Sequence, residues 1–194
     1  MEELELRMYF FVPYQLIGIQ QGIQSGHSAL KFALRFGRYN PEHIIWDFIE
    51  RHETWIILNG GTTNNGNHGS DKGTLNEIYT SIINFNITAR LDDKIDVEKF
   101  YEPDLNDAMT AICVICDERV FNKEKYPDCM YFIFNKMREK AREDIPVENV
   151  KLLKSLPTEN IKALFPEYYD EWVVSIGGEK NAFLRELIKD KKLA

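Results

Sequence analysis

Arg7-Met-Tyr-Phe-Phe-Val-Pro13 and, after two residues, Leu16-Ile-Gly-Ile-Gln-Gln-Gly-Ile-Gln-Ser-Gly-His-Ser-Ala29 form the stretch whose reading decides the fold. The first part is a short run of aromatic and β-branched residues closed by a proline, which predicts a strand over 7–12. From Leu16 to about Arg38 the period changes. Ile19, Ile23, Leu30 and Leu34 recur at helical spacing, so a helix is expected. Wound at 3.6 residues per turn, Gln20, Gln24, His27 and Lys31 make one polar stripe, and Gly22, Gly26, Ala29 and Ala33 make a stripe of small residues beside it. Glycine inside a helix costs about 1 kcal/mol, so this small stripe predicts close approach of the helix to a sheet or a ligand.

Working outward, Asn40-Pro41 breaks the pattern, and a short helix through Ile44, Ile45, Phe48 and Ile49 is expected next. Thr54-Trp-Ile-Ile-Leu58 reads as a second strand, apolar throughout and so covered on both faces. The segment from Asn59 to Gly73 has no apolar residue and is rich in turn formers, which predicts a loop that exposes His68. Thr74 is placed to cap a helix running to about Asn84. Ile87–Leu91 and Val97–Tyr101 read as strand pieces around a charged turn, and Met109–Cys116 as the clearest interior strand. After Pro127 helices are expected over 130–143, 147–155, 158–164 and about 180–191.

The fold class is therefore α/β: a small mixed β-sheet of about four strands with helices on both faces, plus C-terminal helices. Residues 1–127 are expected to form the α/β domain and 128–194 a helical extension. The aromatic and aliphatic residues of that extension, such as Phe183, Leu184, Leu187 and Ile188, need burial somewhere. They can cover the sheet, close over a pocket or form a dimer contact.

Composition bounds the function. The chain has 194 residues and a formal net charge of −7. Residues 1–127 carry 12 Lys/Arg against 19 Asp/Glu, and residues 128–194 carry 12 of each, so all the excess acid is in the front part. Composition thus lends no support to a broad basic surface for nucleic acid. No run of about 18 apolar residues occurs, so no membrane span is expected, and an acidic start without an apolar signal core predicts a cytoplasmic protein. Cys113 and Cys116 are spaced like metal ligands but sit on a strand, where positions three apart point to opposite faces. With Cys129 they read as packing thiols, and no metal or other cofactor is expected.

With these elements in place, Gly18-Ile-Gln-Gln-Gly-Ile-Gln-Ser-Gly-His-Ser-Ala29 resembles the first-helix signature of type II peptidyl-tRNA hydrolases, a glycine–lysine–small–small–Gln–x–x–His–Ala pattern. Phe100-Tyr-Glu-Pro-Asp-Leu-Asn-Asp-Ala-Met-Thr-Ala-Ile112 is similar to the acidic-Pro-Asp-Leu, then Thr-Ala-Ile form of bacterial and phage relatives. The resemblance spans about residues 7–117. It implies metal-independent hydrolysis of the ester joining a peptide to the tRNA 3′ end. Residue by residue, the family lysine falls on Gln20, the aspartate on Glu102 with Asp104 as the nearby alternative, and the threonine on Thr110; Gln24 and His27 match the positions after the lysine.

The expected catalytic set is then Gln20, His27, Glu102 and Thr110, with Gln24, Lys31 and Asp104 binding substrate. Glu102 or His27 would orient a water while Gln20 and Thr110 hold the carbonyl oxygen. Gln20 donates a hydrogen bond but carries no charge, and losing a charged partner at such a site costs a few kcal/mol. The competing expectation is a non-catalytic, phage-encoded binder of a nucleotide or RNA end, acting in a host cytoplasm, or a protein-interaction module. The resemblance also implies a homodimer.

Overall fold

The computed structural model describes residues 3–63, 72–141 and 158–194. Strand β1 (Leu6–Pro13) is followed by helix α1 (Gly18–Phe32), which continues as one wide π-helical turn over Ala33–Gly37. A short helix α2 (Ile44–Asp47) runs into a second π turn, Phe48–His52, and then β2 (Thr54–Gly61). Helix α3 (Thr74–Thr88), β3 (Val97–Glu102) and β4 (Ala108–Asp117) complete the front part. The chain then turns helical through α4 (Glu118–Phe121), α5 (Cys129–Ala141), α6 (Thr158–Leu164), α7 (Pro166–Ser175) and α8 (Glu179–Ile188).

The four strands form one mixed sheet in the order β2-β1-β4-β3. β1 pairs with β2 in parallel and with β4 antiparallel, and β3 pairs with β4 antiparallel. β1, β2 and β3 therefore point one way and β4 the other. Alternation along β1 sorts the core into two layers. Met8, Phe10 and Val12 meet Phe32, Ile45 and Phe48 on the α1 side, whereas Tyr9 and Phe11 meet Leu75, Ile78 and Ile82 of α3 on the other. β4 is buried along almost its whole length, as an interior strand covered twice should be. Cys113 falls in the first layer and Cys116 in the second. Burial pushes the Cys113 and Cys129 thiols up to about 12, and Cys116 is raised as well, which leaves all three as packing groups rather than nucleophiles.

Several expectations change. Thr54–Leu58 is a strand, but β2 lies at the sheet edge with Trp55 43% exposed; its apolar run marks one packed face and a partly open one. That edge is met by the chain end: the Asn59 N–H donates to the Lys192 carbonyl at 2.8 Å, and the Ala194 N–H to Ile57 at 3.0 Å. Ile87–Leu91 is not a strand. α3 runs on to Thr88 and a 3₁₀ turn follows at Leu91–Asp93. Gly73 is the N-cap of α3, and Thr74 is its first helical residue, tied through its hydroxyl to the Thr62 N–H at 2.7 Å. The loop tip with His68 and the expected helix over 147–155 lie outside the described residues.

Of the C-terminal helices, α8 takes the first of the three alternatives and covers the sheet. Leu184 of α8 is fully buried in the α3-side layer, and Phe183 stacks on Phe85 of α3 with ring centroids 4.6 Å apart. α5, α6 and α7 close a satellite cluster around Trp172, which is itself fully buried. Arg185 joins the parts. At 1% exposure its guanidinium donates to the carbonyls of Val120 (3.1 Å), Pro127 (3.0 Å) and Tyr126 (2.5 Å). Burial lowers its pKa, with Asp128 opposing that shift. Removing a buried cation's side chain strands three carbonyls. R185A is expected to lower unfolding free energy by about 3 kcal/mol in urea titration, and a loss of under about 1 kcal/mol would show that Arg185 does not hold this junction.

Candidate functional site

The site is built where α1 crosses β3 and β4. On α1 the buried residues are Gln21, Gln24, Ser25, Ser28 and Phe32, so the helix turns a largely polar face to the sheet. Two serines are satisfied within the helix: Ser25 Oγ donates to the Gln21 carbonyl at 2.8 Å and Ser28 Oγ to the Ser25 carbonyl at 2.9 Å. Gln24 reaches out instead. Its Nε2 donates to Glu102 Oε2 at 2.6 Å, and its Oε1 accepts from Thr110 Oγ1 at 2.7 Å.

A local irregularity makes this possible. Opposite β3, Phe100 pairs with Ala111 and Tyr101 with Met109, so Thr110 is the unpaired residue of a bulge. A bulge breaks the alternation and re-aims the extra side chain. Ala111 packs in the α1-side layer and Met109 in the α3-side layer, while the bulge sends Thr110 up to Gln24. Glu102 is fixed from the other side. It is the N-cap of the 3₁₀ turn Pro103–Leu105 and its Oε1 accepts from the Asp104 N–H at 3.4 Å. The turn then reverses through Asn106 and Asp107, both left-handed at φ 53° and 56°, a conformation that Asn and Asp tolerate better than other side chains.

Next to this chain of hydrogen bonds lies a hollow of about 410 Å³ lined by Pro13, Gln15, Leu16, Thr63, Leu105, Asn106, Ala108 and Thr110. It sits at the carboxyl ends of β1, β2 and β3, where open α/β sheets place their ligands. Thr63, just past β2, donates through its hydroxyl to the Met109 carbonyl at 2.5 Å and closes one wall.

The expected residues divide into four groups. Gln24, Glu102 and Thr110 form one connected network. His27 and Lys31 lie further along the same helix edge and share a support that sequence reasoning missed, Phe100: the His27 ring is 4.6 Å from it and Lys31 Nζ lies 4.8 Å from its centroid. His27 Nδ1 is a buried nitrogen without a hydrogen-bond partner. Asp104 contributes its backbone N–H, its side chain being exposed. Gln20 stands apart: it is exposed, and its Oε1 accepts from the Ile17 N–H at 3.2 Å, closing the first turn of α1. The signal for Phe100 was its place two residues before Glu102 on the same strand face.

The hydrogen-bonding inventory restricts the chemistry. Thr110 has one hydroxyl proton, and it is given to Gln24; its oxygen remains able to accept but not to donate again. Gln24 has two N–H groups on Nε2, and one is used by Glu102. The second is left over from this pair of bonds, and of the three networked residues it is Thr110 that lines the hollow. Of the pair expected to hold a carbonyl oxygen, Gln20 caps the first turn of α1 and Thr110 has committed its proton to Gln24. Among the described residues, Glu3, Asp47 and His52 form the one group close enough to share a metal ion. Arg51 ion-pairs with both Glu3 and Asp47, so a guanidinium already supplies the positive charge there.

No protein-family model matches the chain, and no curated protein matches it. The site thus stands on its own geometry. T110V keeps the side-chain shape and leaves Gln24 Oε1 buried without a donor, which costs about 1–3 kcal/mol. Urea unfolding of T110V, Q24L and the double variant should show strongly non-additive losses; simple additivity would mean that Thr110 and Gln24 are not bonded.

Proposed function

We propose that the chain is an ester hydrolase acting at the 3′ end of an acylated or peptidyl tRNA, with Glu102 as general base. The observation that carries this reading is the convergence of Gln24, Glu102 and Thr110 on one hydrogen-bonded chain beside an open hollow. These residues come from the two sequence stretches that carry the resemblance to type II peptidyl-tRNA hydrolases.

In this reading a water sits between Glu102 and the ester carbon, with the carboxylate taking its proton as the carbon–oxygen bond forms. The free N–H of Gln24 donates to the carbonyl oxygen as charge grows there. The Thr110 oxygen accepts from a hydroxyl of the terminal ribose. The proton that Glu102 takes from the water passes on to the departing ribose oxygen, so the carboxylate serves first as base and then as acid. Lys31 supplies the exposed cation of this helix edge for phosphate. The implied reaction needs no metal, and the chain's own groups suffice for each proton transfer.

A second reading has its own observation. Gln20 falls where the resemblance puts the family lysine and serves instead as a helix cap, and no Lys or Arg lines the hollow among the described residues. This favours a site that holds a nucleotide or RNA end without cleaving it.

The discriminating experiment is hydrolysis of an N-blocked aminoacyl-tRNA, run beside thermal melting with the same RNA 3′ end uncharged. Turnover is expected, with E102Q lowering it about 10²-fold or more and Q20K raising it by restoring the missing charge. Thermal stabilisation without turnover in either the parent or Q20K would select the binder. Turnover unaffected by E102Q would end the hydrolase reading.

A further inference from the structure

Arg7, Lys123, Arg185 and Lys189 stand far apart in the chain and line one hollow of about 270 Å³. No carboxylate is among its lining residues, although the chain as a whole carries a formal net charge of −7. β1 contributes Arg7, the segment after α4 contributes Lys123, and α8 with its C-cap contributes Arg185 and Lys189. A neighbouring hollow that shares Lys189 has Glu179, Glu186 and Asp190 in its wall, so the lack of acid is particular to the first.

The cations are held in place but not used up. Arg7 is bonded to Glu5 at 2.7 Å, and its guanidinium carbon lies 3.9 Å from the centre of the Phe121 ring. Lys123 and Arg185 share one carboxylate, Asp128, at 3.3 and 3.5 Å, and Lys189 meets Glu186 at 3.6 Å. Four cations thus have three carboxylate partners, which leaves one positive charge in excess. The two lysine pairs are partly open to solvent, and such pairs are weak enough to yield to a better anion. Tyr9 also lines the hollow. Burial raises its phenol to about 12, with Arg7 opposing that shift, so at neutral pH it keeps its proton and remains a donor.

The rest of the wall is apolar, with Ile56, Leu58 and Ile188 in it. A basic end against an apolar wall suits a ligand of the same division. The volume matches about nine waters at roughly 30 Å³ each, hence an organic anion of about ten heavy atoms. A phosphate monoester brings close to two negative charges and three acceptor oxygens at neutral pH, which suits cations arriving from three segments and the fork of a guanidinium. A carboxylate brings one charge and two oxygens in one plane.

We propose that this hollow binds a small phosphomonoester carrying an apolar arm, with Arg7, Lys123 and Lys189 taking the phosphate and Ile56, Leu58 and Ile188 the arm. Arg185, committed to three carbonyls, adds its charge from a fixed position. The site is separate from the hollow beside Thr110. Tyr9 and Ile56 pair across the amino-terminal halves of β1 and β2 and belong to the α3-side layer, whereas α1 lies on the other face. The inference does not rest on the hydrolase reading.

Isothermal titration calorimetry of the full chain with phenyl phosphate tests it, at about 50 mM salt to limit screening and with circular dichroism as the folding control on every variant. Binding is expected with Kd at or below about 1 mM, and inorganic phosphate and benzoate should each bind at least about tenfold more weakly. K123E/K189E reverses two partly exposed lysines and is expected to weaken binding about 100-fold or more. K136E/K162E makes the same change of charge outside the hollow and should leave Kd within about threefold, as screening at that distance requires. If K123E/K189E misfolds, K123Q/K189Q takes its place, with a loss of about tenfold or more expected. Absence of phenyl phosphate binding at about 10 mM overturns the proposal. So does an affinity that K123E/K189E leaves unchanged, or one that K136E/K162E lowers as much. Inorganic phosphate binding as tightly as phenyl phosphate contradicts the apolar arm, and benzoate binding as tightly contradicts the phosphate head.

Discussion

The side-chain amide of Gln24 is the joint on which the arrangement of α1 depends. It must donate to a carboxylate at the end of β3 and accept from a hydroxyl on the bulge of β4 at the same time. Lysine cannot accept, and an ionised carboxylate cannot donate; an amide does both. Making these two bonds fixes the rotation of the helix about its axis. Once Gln24 points down at the sheet, the serines one and four residues later go down with it, and the aliphatics on the opposite side are turned outward.

This rotation explains why the helix breaks the usual rule of apolar face inward. Its contribution to the core is Phe32 at one end and the edges of Ala29 and Ala33, while Gln24, Ser25 and Ser28 face the sheet with hydrogen-bonded polar groups and His27 rests on Phe100. Buried polar contacts of this kind add little net stability compared with an apolar seam, but they impose one register and one rotation. The sheet obtains its stability elsewhere: from α3 and α8 on the other face, where Leu75, Ile82 and Leu184 are fully buried, and from the Arg185 junction that keeps the C-terminal helices on it. The sheet therefore has an apolar layer under α3 and α8, and under α1 an apolar layer that gives way to the hydrogen-bonded Gln24, Glu102 and Thr110 beside the hollow.

Much of this was legible in the sequence, and the gaps have definite causes. β1, α1, α3 and β4 were visible because period and length agree with the final structure. β2 was found, but its uniform apolar run suggested a covered strand; the same run also suits an edge strand carrying an exposed Trp55. Ile87 to Leu91 misled because β-branched and apolar residues at a helix end look like the start of a strand. The helix at Pro166–Ser175 is absent from the expected set, although proline is at home in a first helical turn. At the site, Gln24, Glu102 and Thr110 could be named from the motifs. Their bonding could not, because it depends on which residue of β4 is left unpaired opposite β3, and no local pattern marks Thr110 for that. Nor does any local pattern show whether the amide stripe or the aliphatic stripe of α1 meets the sheet.

Hydrogen exchange of the glutamine side-chain amides tests the central claim most directly, because α1 carries its own control. In NMR spectra of the native chain, the Nε2 protons of Gln24 are expected to exchange with solvent at least tenfold more slowly than those of exposed Gln20, one helical turn away. Equal exchange at the two residues would contradict the account: Gln24 would then not bridge β3 and β4, and the rotation assigned to α1 would have no cause.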